Sequence, residues 1–322
     1  MPKRTRDKTL IATRSSELAL RQARQVQAAL AERGVESELK TYKTTGDKRL
    51  DEPLAAIGAK GLFTKELETD LAHGKVDCCV HSLKDLPTEM PAGLMIVALL
   101  EREDPRDVLI VNRIVGASTL AEMPAGSRIG TSSLRRRSQL LAARPDLEIA
   151  DLRGNVPTRI KKVDQGLVHA AILAAAGLHR LGVSQQIAEY LDAPAWLPAA
   201  GQGAIAIQIR EDDEAARAMF APLGHEQTMI DVEAERAFLA ALEGGCQVPI
   251  GALAAKKGNR RVLYGFIGDV NGKRIVRGEI ELDAGKPQLS GVRLANDLRS
   301  RGASDILEGL RRAEHVPSPQ PE

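Results

Sequence analysis

The stretch V-D-C-C-V-H-S-L-K-D-L-P, residues 76–87, decides how this chain is read. Residues 76–80 are apolar but for Asp77, a length that suits a buried strand. The chain then turns polar within one residue, with His81, Ser82, Lys84 and Asp85, and Pro87 closes the segment. A buried strand that ends in titratable side chains suits an α/β active site, because ligands bind outside the carboxyl ends of parallel strands. A carboxylate held there, Asp85, can stabilise a cation formed during a reaction. The plainer alternative is that Asp85 caps a turn or pairs with Lys84. Cys78 and Cys79, inside the apolar run, read as passive packing, and His81 as a hydrogen-bonded structural residue.

Upstream, residues 9–13 form a predicted strand. Ser15 and Ser16 are N-cap types and Glu17 suits a first turn. Leu18, Ala19, Ala23, Val26 and Leu30 recur at helical spacing up to Gly34. Residues 35–42 read as a second strand, which should lie parallel to the first. Residues 43–61 read as a mobile loop, followed by a helix through Leu67 and Leu71. Downstream, E-R-E-D-P-R-D at 101–107 separates strands at 94–100 and 108–111 and reads as a hinge. A second α/β set comes next: strands at 128–130, 147–152 and 169–174, with helices ending at Ala143 and spanning 155–166. Residues 196–201 read as a return crossing, and the strand at 204–210 as rejoining the first sheet. A third unit has a helix at 229–242 and two strands, 262–268 and 274–282, around Asn271-Gly272, a hairpin signal. Helices at 289–301 and 304–314 come after it, then a Pro-rich tail at 316–322 expected to be disordered. The predicted domains are 1–104 with 201–222, then 105–200, then 223–315.

Composition narrows the function. The 322 residues exceed one simple core. A net charge of +2 and 2% aromatics give neither the basic field nor the stacking platforms of a nucleic-acid binder. Residues 1–8 are basic with no apolar segment after them, unlike a secretion signal, and no stretch is long and apolar enough for a membrane span. Three cysteines, two of them adjacent, suit a reducing cytoplasm. No Cys/His spacing suggests a metal site.

G-T-S-S-L-R-R-R, residues 130–137, places three hydroxyls before a helix and arginines in its first turn. Exposed N–H groups, the helix dipole and guanidinium forks favour an anion there; a capped helix with a solvated basic face is the alternative. L-R-G-N-V-P-T-R at 152–159 and Thr13-Arg14-Ser15-Ser16 repeat the device. Three basic helix starts suggest one cleft for an anion with several acidic groups, and no phosphate-binding glycine motif accompanies them. Cys246, in E-G-G-C-Q-V-P-I-G, could be a nucleophile, an attachment point or a passive small residue.

Together T-R-S-S-E-L-A-L (13–20), K-G-L-F-T-K-E-L (60–67), V-H-S-L-K-D-L-P (80–87), E-R-E-D-P-R-D, G-T-S-S-L-R-R, L-R-G-N-V, L-P-A-A-G-Q-G-A (197–204) and E-G-G-C-Q-V-P-I-G resemble hydroxymethylbilane synthase, the porphobilinogen deaminase family. The match runs in order from about residue 9 to 310; Pro157, the Cys78-Cys79 pair and Arg137 are departures. The resemblance implies two doubly wound α/β domains like those of periplasmic binding proteins, a cleft between them, and a smaller α+β third domain. It implies a dipyrromethane cofactor on Cys246 through a thioether, and four porphobilinogens deaminated and condensed head to tail before hydrolysis releases hydroxymethylbilane. It gives Asp85 the catalytic role. Arg14, Ser16, Lys84, Thr131, Ser132, Ser133, Arg135, Arg136, Arg153, Arg159, Arg180 and Gln202 fall on carboxylate-binding positions, and Lys60 and Phe63 on a flexible cover. A cytoplasmic monomer is expected, with no nucleic-acid or membrane partner. A binding module for a di- or polycarboxylate is the main rival, and an RNA-binding protein using the R-R-R run a lesser one.

Overall fold

The structure, a computed structural model, describes residues 8–48, 63–242 and 248–314. Lys60, Cys246 and the tail at 316–322 lie outside them, as does most of the loop expected at 43–61. The chain runs β1 (Thr9–Arg14), α1 (Glu17–Ala31), β2 (Ser37–Tyr42), α2 (Thr45–Lys48), α3 (Lys65–Ala72), β3 (Cys78–Ser82) and β4 (Leu94–Leu99) before its first crossing. It continues as β5 (Asp107–Val111), β6 (Arg128–Gly130), α4 (Leu134–Ala143), β7 (Glu148–Ala150), α5 (Val156–Asp164), β8 (Ala170–Ala174), α6 (Ala175–Leu181) and β9 (Glu189–Leu191). After the return come β10 (Ile205–Arg210), α7 (Glu214–Phe220), α8 (Glu226–Ala241), β11 (Ile250–Lys257), β12 (Arg260–Gly268), β13 (Ile275–Glu281), α9 (Pro287–Leu298) and α10 (Ser304–Glu314).

Two five-stranded sheets share one plan, β2-β1-β3-β10-β4 and β7-β6-β8-β5-β9. In the first, β1 lies parallel to β2 and β3, as expected for β1 and β2, and β10 runs antiparallel between β3 and β4. In the second, β6 lies parallel to β7 and β8, and β5 runs antiparallel between β8 and β9. Each antiparallel strand is the one next to a crossing, so the two sheets are wound alike. The first sheet is buried on both faces. Ile11, Val80 and Ile207 pack with Val26, Leu30 and Phe220; Ala12 and Cys79 pack with Leu67 and Leu71 on the other side. Parallel strands covered on both faces carry continuous apolar runs for this reason.

The buried strand is displaced from the 76–80 run to Cys78–Ser82. Asp77 stays out of it, and its carboxylate accepts the Leu10 N–H at 2.7 Å instead. Part of the expected loop, Thr45–Lys48, is a helical turn. Helix α8 begins at Glu226, before the expected Met229, because the His225 side chain caps it by accepting the Thr228 N–H.

The third domain has three antiparallel strands rather than the two expected. The extra one, β11, reads I-G-A-L-A-A-K-K and has little of the β-branched or aromatic content that marks strands. Its ladder with β12 from Ile250 to Lys257 holds it in place. Phe238, Leu294, Leu298 and Ile306 cover this sheet from α8, α9 and α10. Gly272 in the hairpin turn has φ +68°, and a Cβ there would lie 2.5 Å from the Ala142 nitrogen and the Ser138 oxygen, so the turn seats directly on α4. The two crossings touch as well: the Glu103 N–H donates to the Gly203 carbonyl. With φ +91° and only 2.3 Å from a would-be Cβ to the Glu103 oxygen, position 203 accepts only glycine without displacement. Among the described residues no helix is long and apolar enough to cross a membrane.

Candidate active site

Beyond β3 the chain makes a single 3₁₀ turn, Leu83–Asp85. Leu83 and Leu86 are buried together with Leu99, Ala204, Ala206 and Val232. Lys84 and Asp85, between the two leucines, are only partly covered. The Asp85 side chain keeps 31% of its surface and lies 3.8 Å from the Arg14 guanidinium. Its ion-pair partner is therefore Arg14 rather than its neighbour Lys84. The same guanidinium sits 4.4 Å from the centre of the Phe63 ring, a cation–π contact. Lys84 donates to Gln202 Oε1 at 3.2 Å, and Gln202 in turn reaches Asp107 at the edge of the second domain.

On that side the organising group is Asp107, at the start of β5 and fully buried. It accepts from Arg135 Nη1 at 2.6 Å, Arg136 Nη2 at 2.7 Å, Trp196 Nε1 at 2.8 Å and Gln202 Nε2 at 2.9 Å. Burial pushes its carboxyl up, but the two guanidiniums outweigh this and hold it well below the usual range. Arg135 also donates to the Leu197 carbonyl and Arg136 to the Ile172 carbonyl. These two arginines, expected as forks open to an anion, are thus buried and tied to an acid of their own chain.

Burial, reinforced by the Arg136 charge, pushes Arg159 down to about 10, and Asp85 and Asp151 oppose the shift. Lys84 goes down to about 8 by burial and by Arg136, opposed by Asp85 and Asp107. Lys84, Asp85, Arg136 and Arg159 therefore lie in one electrostatic field that spans both domains. The remaining expected residues separate by task. Ser16 and Ser133 cap α1 and α4, Thr131 Oγ1 accepts the Ser133 N–H, and Ser132 Oγ donates to the Leu152 carbonyl. The Arg153 carbonyl accepts from Lys162. Gln202 bridges Lys84 to Asp107 and to the Pro105 carbonyl. Arg180 is drawn to the crossings, where it donates to the Gly203 carbonyl and is influenced by Glu103 rather than by Asp85.

His81 is buried, hydrogen-bonded to Gln208 Oε1 at 3.0 Å, and pushed by burial down to about 4, so it is a neutral structural residue. Burial raises the Cys79 thiol, which keeps it unreactive. Asp107, Trp196 and the buried Arg102–Glu235 pair (2.6 Å) were not singled out from sequence. The signal was there for Asp107, the last letter of E-R-E-D-P-R-D opening an apolar strand.

Within the described residues, the cations around Asp85 outnumber the carboxylates. Buried or half-buried positive charge in excess of its partners is costly unless a ligand neutralises it, and the guanidinium forks suit carboxylates. The site therefore fits a molecule with several carboxylates and one locus where positive charge is stabilised.

The family model for the porphobilinogen deaminase dipyrromethane cofactor-binding domain matches residues 9–218, and the model for the C-terminal domain matches residues 229–300. This chain belongs to the porphobilinogen deaminase family. As a porphobilinogen deaminase it is a transferase of tetrapyrrole biosynthesis, a hydroxymethylbilane synthase that works with a dipyrromethane cofactor. Solved structures with a similar outline include a putative methionine-binding lipoprotein from Bacillus subtilis (12% identity, 69% of this chain, 92% of that one, TM-score 0.42). Others are the methionine-binding protein MetQ (14%, 74% and 94%, 0.43) and a periplasmic substrate-binding protein of an ABC transporter from Coxiella burnetii (14%, 71% and 96%, 0.43). These likenesses do not bear on the chemistry of a porphobilinogen deaminase.

Proposed function

We propose that Asp85 is the catalytic carboxylate of this hydroxymethylbilane synthase and that Cys246 carries the dipyrromethane through a thioether. The observation that carries the reading is the turn Leu83–Asp85, which sets one half-exposed acid in a surplus of cations drawn from both domains. As porphobilinogen loses ammonia, positive charge develops on its pyrrole. Asp85, fixed between two buried leucines, stabilises that charge and accepts the ring N–H without reorganising. When bound, the dipyrromethane supplies the nucleophilic carbon to which each new ring is joined. Lys84, Arg153 and Arg159 hold its acetates and propionates and those of the growing chain, with Arg14 and Ser16 at the first-domain edge and Arg136 adding its charge from behind. Arg135, Thr131, Ser132, Ser133, Arg180 and Gln202 support this set through the contacts described above. Phe63 stacks on Arg14 and is assigned, with Lys60 outside the described residues, to the active-site loop.

The same reading takes the domains as 1–104 with 201–222, 105–200 and 223–315. The mutual contact of Glu103 and Gly203 supports a hinge there. It also takes the protein as a cytoplasmic monomer, in keeping with the buried thiols of Cys78 and Cys79.

The attachment is tested by intact mass. The purified protein is expected to exceed its chain mass by one dipyrromethane, and Cys246→Ala to show the bare chain without turnover. A bare-chain mass with full activity would falsify the attachment. Lys84 provides a second test. In the cofactor-free Cys246→Ala chain burial brings the Lys84 ammonium down to about 8, whereas the unfolded chain holds this proton up to its ordinary pKa of about 10.4, so stability is expected to rise with pH between those values and to be lost again as pH falls through 8. Lys84→Met in the same background should flatten that rise in urea titrations across this range, and an unchanged rise would assign it elsewhere.

A further inference from the structure

We propose that Arg236, on α8 of the third domain, is a positioning residue for Asp85; this rests on the catalytic role of Asp85 given above. The Arg236 guanidinium crosses to the first domain and donates to three successive carbonyls just after Asp85: Pro87 at 2.6 Å, Thr88 at 3.1 Å and Leu86 at 3.5 Å. One turn earlier on the same face of α8, Val232 is buried against Leu83 and Leu86, the residues on either side of Lys84-Asp85. The turn that presents the acid is thus held from below by apolar packing and from behind by a planar fork with fixed donor directions.

The rest of the helix makes this hold rigid. Glu235, next to Arg236, accepts from Arg102 on the first crossing, the Gly201 N–H on the second and the Ala254 N–H in β11. Arg236 therefore projects from a point fixed to both crossings and to the third sheet. A carboxylate that must meet a developing cation at close range is sensitive to shifts well below a bond length, and a displacement of about 1 Å can cost on the order of 100-fold in rate. Arg236 touches no substrate group in this scheme; it acts through the backbone of residues 86–88.

A matched arginine separates positioning from general stability. Arg144 in the second domain likewise donates to three carbonyls of one loop, Leu120, Ala121 and Met123, far from Asp85 in the chain and in another domain. Arg236→Ala is expected to lower kcat roughly 10–100-fold with little change in KM, Arg236→Lys to fall between it and the parent, and Arg144→Ala to lose stability without losing kcat. Guanidinium chloride below denaturing concentrations should restore part of the kcat of Arg236→Ala and leave that of Arg144→Ala unchanged. In an Asp85→Asn background, Arg236→Ala should cost nothing further. The proposal is overturned if Arg236→Ala matches Arg144→Ala in kcat, or if its loss multiplies with that of Asp85→Asn. Should Arg236→Ala fail to fold, Arg236→Lys carries the same comparisons, and parent-like kcat in that folded variant overturns the proposal. Near-normal turnover in Asp85→Asn alone brings down the reading of Asp85 instead, whatever Arg236 does.

Discussion

Asp85→Asn is expected to lower kcat by about 100-fold or more while leaving the fold intact. The substitution keeps the shape and the ability to accept a hydrogen bond but removes the charge that faces the developing cation. Among the described residues Asp85 pairs with Arg14 at 3.8 Å, and both side chains keep solvent contact. Pairs of this kind contribute about 0.2–1 kcal/mol, so thermal unfolding should barely move. Single-turnover ammonia release and steady-state kinetics provide the check. If the acid acts only on charge that arises during reaction, kcat and kcat/KM fall together. Turnover close to the parent's removes Asp85 from the mechanism.

Asp107→Ala should act on stability, and the expected loss is about 3–5 kcal/mol, the range found when one partner of a buried ion pair is removed. Asp107 is the shared acceptor for Arg135, Arg136, Trp196 and Gln202. Without it two buried guanidiniums face each other with no counter-charge. The pH dependence has a definite sign. The two arginines hold the Asp107 carboxyl below its unfolded value despite burial, so its stabilisation is complete above the unfolded pKa of about 3.9 and is lost as pH falls below it. Urea titrations at neutral and acid pH measure both effects, and the Asp107→Ala variant should lose this acid-dependent part. A loss no larger than that from breaking the exposed Arg312–Glu308 pair would show that the arginines find other partners.

How much of the chain could be read in advance depends on which interactions are local. Strands and helices with apolar periodicity, and caps such as Ser16 and Ser133, depend on neighbours within a few residues and were placed to within a turn. The return of β10 to the first sheet was legible as an apolar strand following the return crossing. β11 escaped because alanine, glycine and lysine become a strand only through the β12 ladder. In the site, Asp85 and the basic helix starts were legible as motifs. The destination of Arg135 and Arg136 was not, since their partner Asp107 lies 28 and 29 residues away. Arg236 left no local trace, for the carbonyls it holds lie 148 to 150 positions earlier.

The order of strands in the first sheet constrains how the molecule is made. β10 occupies the slot between β3 and β4, yet it leaves the ribosome only after every strand of the second sheet. Until Arg210 has emerged, β3 and β4 have unpaired inner edges, whereas the second sheet already holds all five of its strands. The second domain is therefore able to fold first during synthesis, and the nascent first domain waits, with open backbone edges of the kind that recruit chaperones.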